Sequence, residues 1–166
     1  MNKAKHSADS DPRRELLRHS LATVAYRGGK AVRNSPAGFA EFRVSEGVRT
    51  PLQILAHLGD LFDWALSIAK DKQVWHDSKP LPWEKEVERF FAALNAFDAF
   101  LASDAPMKAP AENLFQGPVA DALTHVGQIA MLRRLAAAPI TSENYYAAQI
   151  VTGSVSAEQI PPKQEF

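Results

Sequence analysis

This chain of 166 residues has five histidines and no cysteine, which narrows the chemistry open to it. Without a thiolate, any transition-metal site must draw on imidazole nitrogen and carboxylate oxygen, and both a cysteine nucleophile and a disulfide are excluded. Two stretches place such donors with useful spacing. Asp121 and His125 stand four apart, one helical turn on one face, and Gln128 follows a turn later. Side chains at i and i+4 converge over the same turn and can grip one ion. The same spacing also suits the wet face of an ordinary helix, and spacing alone leaves both readings open. His57 falls beside Ile54, Leu61, Trp64 and Ile68, at the margin of an apolar face. That position suits a half-buried histidine bonded to a neighbour, or a metal ligand or proton carrier.

Other polar groups read more plainly. His6, His19 and His76 lie in polar or boundary positions and are expected to be solvated. Asp60 and Asp63 read as solvated helix-face acids, since Asp60 falls among Gln53 and Ser67. Arg133 and Arg134 read as last-turn cations, favoured where a helix ends. No nucleophile elbow, phosphate-binding loop or dinucleotide fingerprint occurs, and no Ser/His pattern suggests a triad.

Four helices are needed to hold the donor groups. Asp11-Pro12 is an N-cap followed by proline at the first helical position. Behind it Leu17, Leu21, Val24, Gly28 and Ala31 form a narrow stripe on a helix over roughly 13–33. Gly28-Gly29 within it implies a close neighbour or a kink. Residues 34–49 make a connection longer than the usual helix–helix turn. Thr50-Pro51 repeats the cap signal for a helix over roughly 51–70. Pro82 opens a third helix, to about 102, with Trp83, Val87, Phe90, Leu94, Phe97 and Leu101 spaced four and three apart. Residues 103–117 read as a loop. Pro118 opens a fourth helix to about 137, and Ser142 with Glu143 suggests a short fifth helix over about 142–150. The fold class expected is therefore all-α: a four-helix bundle with a long connection between helices 1 and 2 and a short C-terminal fifth helix. Residues 1–12 read as a polar leader with no apolar run of a secretion signal, 13–153 as one bundle, and 154–166 as a loosely held tail.

Composition agrees with one folded domain: 46% of residues are hydrophobic and 23% charged. Nineteen basic residues balance nineteen acidic ones, so no long-range field gathers polyanions, and no nucleic-acid partner is expected. No run of about 18 apolar residues occurs, so no membrane span is expected and the cytoplasm is the default location.

Two segments resemble the DinB-like family of small bundle metalloproteins. One is Arg49-Thr50-Pro51-Leu52-Gln53-Ile54-Leu55-Ala56-His57-Leu58-Gly59-Asp60-Leu61. The other, Ala120 to Arg134, is similar to the family's fourth-helix signature of His, three residues, His, two residues, Gln. Glu143-Asn144-Tyr145-Tyr146 is similar to a short terminal element of some members. The resemblance implies a divalent metal, zinc, nickel, iron or manganese, held by His57, His125 and Asp121, the last standing where the family carries a histidine. Gln128 would support the site by hydrogen bonding. It implies an open metal position where a low-molecular-weight thiol such as bacillithiol, mycothiol or glutathione, or a water, is activated against a small-molecule substrate, as in thiol-dependent S-transferases and isomerases. It further implies a homodimer. The alternative expectation is a non-catalytic binding or stress-response module of the same fold without metal.

Overall fold

The computed structural model describes residues 11–166. The expected polar leader and His6 therefore lie outside the described residues, except that Asp11 and Pro12 open the first helix. The order is α1 (Pro12–Val32), a 3-10 turn (Phe39–Glu41), α2 (Pro51–Ala69), α3 (Trp83–Ala102), α4 (Ala111–Leu114), a π-helical turn (Phe115–Val119) and α5 (Ala120–Leu135). The last three pieces run on as one rod, so four long helical bodies make an all-α bundle. Among the described residues the only strand-like pairing is an isolated bridge between Glu143 and Glu165. No helix among them is long and apolar enough to cross a membrane.

The expected caps form. The Asp11 carboxylate accepts from the Arg13 amide ahead of Pro12. Thr50 and Gln53 make a reciprocal capping box ahead of α2, satisfying two amides that the first turn leaves without partners. The stripe of α1 is buried, and α1 continues unbroken through Gly28. A Cβ on Gly28 would lie 2.9 Å from the Phe90 ring, so this glycine lets α1 and α3 meet closely and does not kink the helix. Phe62, Phe90, Phe97, Leu21, Leu55, Leu58, Leu94, Leu114 and Ile129 fill the centre.

Four expectations are corrected. Residues 103–117 are not loop throughout, because helix begins at Ala111. Pro118 does not open the fourth helix; it sits inside the π-helical turn. Proline offers no amide hydrogen, and in a regular α-helix its ring collides with the carbonyl four residues back. A widened turn relieves that collision, so the rod passes through the proline. The short fifth helix over 142–150 is absent: the segment is turns. Glu143 is instead drawn into the bundle, where it accepts from the Tyr26 hydroxyl at 2.6 Å and the Lys30 ammonium at 2.8 Å. That pull extends the backbone. The tail, expected to be loose, returns alongside it, with Asn144 and Gln164 bonded through their backbones at 3.0 Å and Lys30 reaching Glu165 at 2.8 Å. Val155 is buried with the core.

Candidate metal centre

Helices α2 and α5 pack side by side, and their facing turns bring His57 against Asp121 and His125. The Nε2 atoms of His57 and His125 lie 3.6 and 3.7 Å from one oxygen, Asp121 Oδ2. The imidazole rings meet edge to face with centroids 4.7 Å apart. One donor atom from each residue lies within 4.8 Å of the others. Three ligands of a tetrahedral ion, each about 2.0–2.2 Å from it, stand roughly 3.4 Å from one another. Both edges to the carboxylate are close to that spacing.

Gln128 fixes the orientation of one ligand. Its amide oxygen lies 3.0 Å from His125 Nδ1, a contact that requires Nδ1 to carry the hydrogen. The lone pair of His125 is then on Nε2, facing Asp121 and His57. Such a partner behind a ligating imidazole sets its tautomer and raises its basicity. Two ring nitrogens and a carboxylate oxygen thus converge, all of them able to accept. A hydrogen on His57 Nε2, whose tautomer no hydrogen bond fixes, or a cation among the three atoms relieves that arrangement.

The three side chains are 18%, 45% and 12% exposed in chain order, so the cluster sits at the mouth of the bundle. Burial pushes the His57 pKa below the ordinary imidazole value. The charges of His125 and Arg49 push the same way, against Asp121, which favours the protonated ring. A neutral imidazole keeps its lone pair for a ligand.

The segment 70–82 between α2 and α3 crosses over this end. Trp75 stands edge to face against both His57 and Trp64, at 5.6 and 5.7 Å between ring centroids. Three anchors hold the segment. Ser67 Oγ accepts from the Val74 amide, Asp60 accepts from the Ser78 amide and hydroxyl, and Glu86 accepts from the Leu81 amide. Asp60 is therefore not the solvated acid expected: it is 2% exposed. Arg89 explains why it can be buried. Its guanidinium bonds Asp60 at 2.9 Å, Glu86 at 2.8 Å and the Ala56 carbonyl at 2.6 Å. Burial alone would raise the Asp60 pKa, but the bonds from Ser78 and Arg89 outweigh it and hold the carboxyl below its ordinary range. A Cβ on Gly59 would come within 2.8 Å of that guanidinium, so the glycine makes room for the clamp.

The remaining expectations sort cleanly. His76 is exposed in the crossing segment, and exposed His19 approaches only Thr152, at 3.3 Å. Asp63 is half-buried, with its pKa raised by burial. Arg133 is buried and does more than close its own helix. It donates to the carbonyls of Ala31, Arg33 and Asn34 and so ties the end of α1 to α5. Sequence reasoning missed Arg49 and Trp75 as neighbours of the histidines. A large indole in a polar segment is the one signal that could have marked the second. Comparison with known protein families, with curated proteins and with solved structures finds no match to this chain.

Proposed function

We propose that this protein is a divalent-metal-dependent enzyme of the DinB-like kind, with His57, Asp121 and His125 as the metal ligands. The observation that carries the reading is the convergence of three acceptor atoms from two helices, with one imidazole aligned by Gln128. The DinB-like resemblance of the segments around His57 and His125 supports it independently of the geometry. Two histidines and a carboxylate suit zinc, nickel, iron or manganese. A divalent ion with three protein ligands supplies Lewis acidity at an open position, where a low-molecular-weight thiol or a water loses its proton near neutral pH. The chain's own residues supply the rest. Gln128 keeps the His125 lone pair on Nε2, Trp75 covers one side of the His57 ring, and Arg49 sets positive charge beside the cluster.

The test is metal content by elemental analysis of tag-free protein, before and after reloading with each ion, beside a His57→Ala, His125→Ala double variant. The expected result is near-stoichiometric metal in the wild type and none in a double variant that keeps its helicity. No uptake of any of the four ions, with ferrous iron kept reduced, overturns the reading and leaves a metal-free binding module. Metal-loaded protein is then to be assayed for thiol transfer to small electrophiles.

A further inference from the structure

Two cavities flank the histidine pair and share one residue, Arg49. The first, about 350 Å³, is polar and is lined by Gln53, His57, Ser78 and Lys79 among others. The second, about 450 Å³, is a largely apolar trough of Val48, Ile54, Met131 and Leu132, with His125 and Gln128 along one wall. Each is of a size that small-ligand sites commonly have. Their contrast is the informative feature: His57 borders a wet, charged space and His125 a greasy one.

Charge decides what suits the wet side. Arg49 makes no ion pair with any described residue, although its charge reaches the His57 ring. Arg89, by contrast, is consumed by Asp60 and Glu86. Lys79 also has no ion-pair partner among the described residues, and two acids, Asp60 and Asp77, line the same cavity. Asp60 and Asp77 balance Arg49 and Lys79 in number, and Asp60 is held by Arg89, so Arg49 is the unpaired cation that reaches both cavities. A guanidinium presents parallel donors that match a carboxylate. The apolar trough exposes Val48 and Met131, whose burial would favour a hydrocarbon chain.

We propose that the two cavities form one binding site for a small amphipathic carboxylate, with its carboxylate on Arg49 and its apolar chain in the trough of Val48, Ile54 and Met131. A ligand lying this way has His57 in the wall around its polar end and His125 in the wall around its apolar end. As a statement of substrate class the proposal rests on the metal-centre reading; as a statement of binding it does not.

The test is a series of straight-chain monocarboxylates, butanoate to octanoate, with octan-1-ol as the uncharged control. Binding is followed by amide NMR shifts in both metal-free and zinc-treated protein. Octanoate is expected to shift amides around Val48–Ile54 and Gln128–Leu132 saturably. Affinity should rise by about two- to fourfold per added methylene. Arg49→Gln should weaken octanoate by about tenfold or more and leave octan-1-ol unchanged. Arg49 is exposed and bonded to no described residue, so the variant should fold as the wild type does. Octanoate binding that Arg49→Gln does not weaken, or no localised saturable shift in either form, overturns the proposal. Zinc uptake without octanoate binding leaves the metal reading standing and removes this one. Octanoate binding to a protein that takes up no metal does the reverse.

Discussion

One turn of α2 separates two polar clusters that face opposite problems. Asp60 looks into a network in which one guanidinium serves two buried carboxylates: Arg89 lies between Asp60 and Glu86, and Ser78 supplies two further donors. His57, three residues earlier, looks into a cluster of acceptors with no cation among them. Both are anchored on α2, the first reaching to α3 and the second to α5. The first is closed on itself and holds a crossing segment in place. The second is left open toward solvent and toward two cavities. A carboxylate that meets only imidazoles, at the border of two cavities, is the kind of group in which a binding site is sought.

The sharpest way to break the comparison is to open the closed cluster. Arg89→Ala leaves Asp60 and Glu86, which is 0% exposed, without their cation. It should cost about 3–5 kcal/mol, seen in a thermal melt as a drop of roughly 6–20 °C for a chain of this size. A change under about 1 kcal/mol would mean that the network is better hydrated than its burial implies.

The open cluster should behave oppositely. Removing His57 and His125 together should barely lower the melting temperature in chelator, because no buried charge loses its partner. What should vanish is the gain from the ion. Free ion at a hundred times its Kd stabilises the wild type by about 2.7 kcal/mol and should leave the double variant unchanged. Equal gains in the two proteins would place the ion elsewhere.

Smaller effects refine the contrast. Gln128→Ala should weaken metal affinity about 10- to 100-fold by releasing His125 Nδ1, measured by competition with a chromophoric chelator. The smallest effect is a pH dependence. The folded protein holds the His57 pKa below its unfolded value of about 6.5. The unfolded chain therefore takes up the proton first as pH falls. Stability of the metal-free protein is full above about pH 6.5 and declines from there toward the lowered folded pKa. Urea unfolding at pH 7.5 and 5.5 should show that decline in the wild type and less of it in His57→Gln.

Much of this was legible in the residues, and for local reasons. Cap-plus-proline pairs at Asp11-Pro12 and Thr50-Pro51 announce helix starts whatever surrounds them. The four-three spacing from Trp83 to Leu101 announces one buried face. Asp121 and His125 declare a shared face because i and i+4 always share one. What the sequence hid depends on distant partners. Asp60 looks solvated until Arg89, 29 residues on, is known to reach it. Ser142-Glu143 reads as a helix cap, but Tyr26 and Lys30 take the carboxylate for another use. Pro118 reads as a helix start, because a π-helical turn leaves no local signature that distinguishes it from one.

The return of the tail onto α1 has a consequence in time. Lys30 and its partner Glu165 are 135 residues apart. At synthesis rates of about 5–20 residues per second, Lys30 is made roughly 7–27 seconds before Glu165 exists. Until Glu143 is made, late in that interval, the first helix carries a tyrosine and a lysine whose shared acid has not been translated. A nascent chain halted short of Glu143 should therefore lack the acid that joins Tyr26 to Lys30, and the second tie to Lys30 waits for Glu165.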